Sequence, residues 1–134
     1  MSDNFRFDVI AAGFSGDSSV ALEALHHEDG TVRASALRAL ARIGTLTAEI
    51  LAPFILDSHI ETRRTAVELA VPFPEVDVHQ CIDDSDVFVA EMAAWCVGER
   101  TPASDIEIET LIDRTTSHEE VVVREACAAA LGSL

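Results

Sequence analysis

The sequence predicts an all-α fold, a right-handed α-solenoid of about four stacked helical hairpins in a single domain over residues 1–134. One pattern recurs four times at intervals of about 30 residues, and each copy has the apolar spacing of one helix face. The composition agrees, because 49% of the residues are hydrophobic but only 5% are aromatic. The core must therefore be filled by Ala, Val, Leu and Ile, which suit close helix packing.

The repeated segments are predicted to form the second helix of each hairpin. They read VRASALRALA, TRRTAVELAV, VAEMAAWCVG and VREACAAALG, and they begin at Val32, Thr62, Val89 and Val123. Successive starts are 30, 27 and 34 residues apart. Apolar or small residues, with one Thr, occupy the first, fifth, sixth and ninth positions, which share one face of a helix.

A shorter apolar segment precedes each repeated segment and is predicted to form the first helix of the hairpin. These first helices cover approximately residues 18–27, 47–57, 75–83 and 104–116. The hairpins then span roughly 18–44, 46–72, 75–100 and 104–132, with residues 1–17 as a partial N-terminal capping segment. Ser and Glu with capping-box spacing mark three helix starts: Ser58 with Glu61, Ser104 with Glu107, and Ser117 with Glu120.

The segments HEDGTVRASALRALARIG and SHEEVVVREACAAALGSL resemble HEAT-like repeats of the short, phycobilisome-lyase type, and the resemblance extends over about residues 18–134. It implies an armadillo-like superhelix in which acidic and arginine residues form a ladder between neighbouring repeats. The positions that match this structural ladder are Asp29, Asp86 and Glu120 for the acids, and Arg33, Arg63 and Arg124 for the arginines. His59 and Ala90 depart from the pattern, which predicts a weaker ladder around the second and third repeats.

A solenoid of this kind leaves a concave groove lined by the second helices. We therefore expect a non-enzymatic protein–protein interaction scaffold or adaptor that binds a peptide or helix of another protein in this groove. The partner-binding residues predicted on the concave face are Trp95, Met92, Arg38, Arg42, Arg64, Glu68, Glu91 and Glu99. Ala34, Ser35, Thr65, Glu125, Ala126 and Ala129 occupy outward positions of the same pattern.

Trp95, the single Trp of the chain, leaves two interpretations open. In one, the indole lies flat against a neighbouring helix and completes the core. In the other, Trp95 and Met92 form an apolar anchor for the partner, because exposed Trp is enriched at binding hot spots. Arg38, Arg42 and Arg64 would then pair with acidic groups of the ligand.

The sequence predicts neither a cofactor nor a metal and contains no recognisable catalytic motif. Cys96 and Cys127 replace small residues of the repeat, so both are expected in the core. His79 and Cys81 are two residues apart and point to different sides of a helix, which disfavours chelation. A zinc site formed by His79, Cys81 and Cys96 remains a remote alternative.

The charge balance of the chain limits the classes of partner that it can bind. The chain has nine basic residues, all of them Arg, and 24 acidic ones. The resulting net charge of −15 repels nucleic-acid backbones. No signal peptide and no membrane span are recognisable, and three cysteines without paired spacing favour a reduced, cytoplasmic protein.

Two alternative functions remain open. The chain can be a non-catalytic or catalytic subunit of a chromophore-lyase-like enzyme complex, or, more remotely, a HEAT-like DNA-repair glycosylase. Leu131 and Leu134 end the fourth repeat without a polar capping helix, which predicts self-association through this end or a truncated chain.

Overall fold

The computed structural model describes residues 2–100 and 102–134, with side chains from Phe5 onwards, so Met1 and Thr101 lie outside the described residues. The described residues form eight α-helices and two 3₁₀ helices without any strand, which confirms the predicted all-α fold. None of these helices is both long and apolar enough to cross a membrane. The α-helices are α1 (Ser2–Ser15), α2 (Ser18–Ala24), α3 (Gly30–Ile43), α4 (Ala48–Leu51), α5 (Ile60–Leu69), α6 (Val87–Glu99), α7 (Asp105–Ser117) and α8 (Val121–Ser133).

The chain divides into two compact units, Met1–Leu69 and Ala70–Leu134. In the first unit, α3 packs against α1, α2 and α5. In the second unit, α6 packs against α8 and against the 3₁₀ helix His79–Asp83, while α7 packs against α8.

The apolar positions of the sequence repeat form the cores of these units. The first and fifth positions of all four copies have no solvent exposure: Val32, Thr62, Val89 and Val123, and Ala36, Ala66, Ala93 and Cys127. These two positions therefore identify the buried face of each second helix, whereas in α8 the sixth position, Ala128, is exposed and the ninth, Leu131, is half-buried.

The same turn precedes α3, α5, α6 and α8. In each case one side chain accepts a hydrogen bond from the backbone N–H two residues later, at 2.9–3.1 Å. The accepting residues are His27, Asp57, Asp84 and His118. They are 30, 27 and 34 residues apart, the same steps as in the sequence repeat, so the repeat extends into the turns.

Three of these turns are also fastened by an arginine of the following helix. Arg33, Arg63 and Arg124 each donate from Nη1 to the carbonyl oxygens six and five residues earlier. In the third copy, Ala90 occupies the corresponding position and makes no such bond. The arginines of the repeat thus stabilise their own turns.

The acids of the expected ladder act mainly as helix caps. Asp29 Oδ1 accepts from Thr31 N at 2.9 Å, and Asp86 Oδ2 accepts from Val89 N at 3.0 Å. Arg33 makes its ion pair with Asp57, which the sequence pattern does not include, and Glu120 precedes α8 without a side-chain capping bond. A ladder between neighbouring repeats stays a prediction.

The first helices of the hairpins depart most from expectation. The second is split, because Pro53 lies where α4 ends and the 3₁₀ helix Ala52–Leu56 begins. The third is only the 3₁₀ helix His79–Asp83 and does not extend back to residue 75. Short apolar stretches next to proline therefore form tighter and shorter turns than the repeat predicts.

Of the three expected capping boxes, only that of Ser104 and Glu107 is confirmed. The box at Ser58 is wrong, because His59 directly precedes α5 and its Nδ1 accepts from Glu61 N. The box at Ser117 is also wrong, because α7 continues through Ser117, whose Oγ donates to the Asp113 carboxylate.

Residues 2–15 form a complete helix that packs directly against α3. An added Cβ at Gly13 would lie 3.0 Å from Ala39 Cα, so the two backbones are in close contact. Arg6 Nε donates to Ser35 Oγ at 3.2 Å. The outward positions predicted for Ala34, Ser35 and Thr65 are wrong, because all three side chains are buried; for Ser35 the cause is this contact with α1.

Candidate functional site

An apolar groove of about 230 Å³ lies between α6 and α8 in the second unit. It is lined by Glu91, Trp95, Gly98 and Glu99 of α6 and by Ala126, Ala129, Ala130 and Ser133 of α8. Both helices are second helices of predicted hairpins. The α6–α8 groove therefore lies where the sequence predicts a ligand-binding surface for the third and fourth repeats.

The α6 side of the groove carries one aromatic side chain between two carboxylates. Trp95 is 45% exposed. Glu91 and Glu99 lie four residues before and after it, so all three share one face of α6. Among the residues that the structure describes, neither glutamate forms an ion pair, so the groove presents two unneutralised negative charges around an indole.

The α8 side is built from small residues. Ala126, Ala129, Ala130 and Ser133 follow helical spacing, and none reaches far across the groove. The floor is closed by backbone contact, because an added Cβ at Gly98 would lie 2.9 Å from Ala130 Cα. With no large side chain opposite it, the Trp95 indole is the main apolar surface of the groove.

The observed position of Trp95 lies between the two interpretations. The side chain is neither in the core nor fully exposed, and nearly half of its surface is open to solvent in the groove. Met92 is half-buried and does not line the groove.

The other predicted partner-binding residues lie in the first unit. Arg38 pairs with Glu68 at 2.9 Å, and both side chains are exposed. The Arg42 guanidinium lies 4.3 Å from the ring centroid of Phe14, a cation–π geometry. Arg64 is exposed on α5. The Phe14 contact could not be predicted from the sequence, because it depends on how α1 packs against α3.

A buried ion pair in the second unit was also missed. Arg100 Nη1 donates to Glu107 Oε2 at 2.5 Å, and both side chains have no solvent exposure. Arg100 Nη2 also donates to the carbonyl oxygens of Ala70 and Phe73. The pair therefore ties the end of α6 to the chain that follows α5.

Glu107 completes the network from the other side. Its Oε1 accepts from Ser104 N at 3.0 Å, as a capping-box residue does, and its Oε2 accepts from Val78 N at 3.0 Å. The capping-box spacing was visible in the sequence, but the burial of this carboxylate was not. Because neither charged side chain of the pair has any solvent exposure, we interpret the network as structural.

The cysteines are buried, as the sequence predicts. Burial raises the pKa of the Cys96 and Cys127 thiols to about 11, so both are protonated at neutral pH and unsuited to nucleophilic chemistry. No group of three or more metal-ligating side chains occurs within residues 2–100 and 102–134. His79 Nδ1 instead lies 2.7 Å from the Asp77 carboxylate.

A second, polar pocket of about 360 Å³ lies between the turn that precedes α6 and the turn that precedes α8. Arg114 crosses it and donates to both carboxylate oxygens of Asp83, at 2.8 and 2.7 Å, and also contacts Asp113. The hydrogen bond from Arg114 is the main cause of the lowered pKa of Asp83. Because its arginine is already paired, we interpret this pocket as an ion-pair cluster that joins α7 to the 3₁₀ helix His79–Asp83.

No model of a known protein family matches the chain, and no curated protein matches it either. What the protein binds is therefore inferred from its own residues.

Proposed function

We propose that the chain is a non-enzymatic protein-binding module, a solenoid of HEAT-like hairpins that docks a segment of another protein in the α6–α8 groove. The observation that carries this proposal is Trp95, held on a helix with nearly half of its side chain open to solvent, opposite a row of small residues. Exposed Trp beside a groove is a characteristic of binding surfaces, in which aromatic anchors supply much of the affinity.

The free energy gained by covering Trp95 is large enough for a binding hot spot. A Trp side chain buries up to about 250 Å² when it is fully covered. The open 45% then corresponds to about 110 Å². At about 25 cal/mol per Å², covering this surface contributes about 2.5–3 kcal/mol.

The repeat architecture supports the same proposal. Four equivalent turns precede four equivalent buried helix faces, as expected if each hairpin covers the next. The three cysteines are buried and form no disulfide among the described residues, which suits a reducing compartment such as the cytoplasm.

Selection from a displayed library of random peptides tests the proposal. Binders isolated on the wild-type protein should lose about thirty-fold or more in affinity on Trp95→Ala, the equivalent of about 2 kcal/mol. Phe88→Ala is the matched control, because Phe88 is another exposed aromatic residue of α6 and does not line the groove. Binders that depend equally on both residues, or on neither, would contradict docking at this groove.

A further inference from the structure

Resting on the proposed function, we infer that the partner of the α6–α8 groove is a basic amphipathic helix. One apolar side chain of that helix packs on Trp95, and Arg or Lys side chains one turn before and after it pair with Glu91 and Glu99.

The charges around Trp95 favour a positively charged partner. Glu91 and Glu99 lie on the same helix face as the indole and are not neutralised by any described residue. A ligand carboxylate at either end would meet a like charge, whereas an Arg or Lys would form a new ion pair. The net charge of −15 adds a long-range attraction for a cationic partner.

The spacing of the three side chains favours a helical ligand. Glu91, Trp95 and Glu99 are four residues apart, which corresponds to a rise along the helix axis of about 6 Å between neighbours and about 12 Å between the two glutamates. A ligand helix that lies along α6 matches these distances with basic residues four before and four after its apolar contact residue. All three side chains then project from one face.

The opposite side of the groove allows a helix to approach closely. Ala126, Ala129 and Ala130 hold no long side chain over the groove, so a helix can rest against α8 while its apolar residue contacts Trp95. Because Gly98 and Ala130 close the floor, the ligand contacts a shallow surface and buries mainly one apolar face.

Three synthetic peptides test the inference. They share one amphipathic helical sequence with a central Leu, and they differ only at the positions four before and four after it, which are Arg, Gln or Glu. Affinities for the full chain and its variants are measured by isothermal titration calorimetry, which does not depend on Trp95. The Arg peptide should bind about five- to thirty-fold more tightly than the Gln peptide, since two partly exposed ion pairs contribute on this scale. The Glu peptide should bind most weakly.

Two double variants separate the local effect from overall charge. In Glu91→Gln/Glu99→Gln, the advantage of the Arg peptide should fall to within about two-fold. Glu109→Gln/Glu119→Gln removes the same charge from exposed residues outside the groove, and the advantage should remain.

The outcomes distinguish failure of the basic-helix inference from failure of the proposed function. If the Arg and Gln peptides bind equally and Trp95→Ala weakens both, the groove binds peptides but the basic partner is wrong. If no peptide binds while the displayed library yields binders that require Trp95, the basic helix is again wrong and the proposed function stands. If neither set yields binding that requires Trp95, both proposals fail.

Discussion

Replacing Glu107 by Gln should destabilise the second unit strongly, although the substitution is nearly isosteric. The Glu107 carboxylate is the only countercharge that the structure shows for the buried guanidinium of Arg100, and both side chains have no solvent exposure. Gln can still accept hydrogen bonds, but it leaves the Arg100 charge buried without compensation. Removing one partner of such a pair costs about 3–5 kcal/mol.

This cost is a large fraction of the total, because the free energy of unfolding of a domain is about 5–15 kcal/mol. With a urea m-value of about 2 kcal/mol per M, the midpoint of unfolding should fall by about 1.5–2.5 M. Far-UV circular dichroism follows the unfolding of both units, and the fluorescence of the single Trp, which lies in the second unit, reports that unit separately.

The same substitution in an exposed ion pair is the control. Glu68→Gln removes the partner of Arg38, where both side chains are about half exposed, and the expected cost is only about 0–1 kcal/mol. Replacing both buried residues, as in Arg100→Met/Glu107→Leu, should recover part of the stability, because no charge is left buried although Val78 N loses its acceptor. Equal midpoints for Glu107→Gln and Glu68→Gln would refute the assignment of a buried, stabilising pair.

The remaining predictions concern packing and pH. Gly98→Ala should lower stability by about 1–3 kcal/mol, because the new Cβ would meet the backbone of Ala130 at 2.9 Å. Gly132→Ala meets no atom within 4 Å and should raise stability by about 0.5–1 kcal/mol in the same thermal melts; two changes of the same sign would contradict this packing. Burial alone would raise the pKa of Asp57, but hydrogen bonds from Arg33 and the His59 backbone outweigh it and lower the pKa below 3.8. The stability that Asp57 contributes is therefore present above pH 3.8 and lost as the pH falls through the lower folded-state pKa. Urea titrations between about pH 5 and 2 should show the advantage of the wild type over Asp57→Asn shrinking below pH 3.8, and a constant advantage would contradict it.

The second helices could be predicted from the sequence because their signal is local. Burial at the first and fifth positions follows from helical spacing within ten residues, so the buried faces of α3, α5, α6 and α8 were identified without any tertiary information. The N-caps Asp29 and Asp86 are also local features, although the repeat pattern assigns both residues to the ladder.

The features that could not be predicted depend on residues distant in sequence. Arg100 donates to the carbonyl oxygen of Ala70, 30 positions earlier, and only tertiary packing brings these atoms together. Ser35 is buried because Arg6 of α1 lies against it, although its position within α3 alone indicates exposure. Periodicity identifies which side chains of a helix point away from the core. Whether those side chains are exposed to solvent depends on whether a neighbouring helix covers them.

The seventh position of the repeat shows how this dependence produces a binding surface. Arg38, Glu68, Trp95 and Ala129 occupy it in successive copies. In the first unit, Arg38 and Glu68 meet and satisfy each other as an ion pair. In the second unit the corresponding residues, Trp95 and Ala129, line the groove as a large and a small side chain, which leaves part of the indole uncovered. A change of residue type at one repeated position therefore turns a closed contact between neighbouring helices into a surface that another protein can complete.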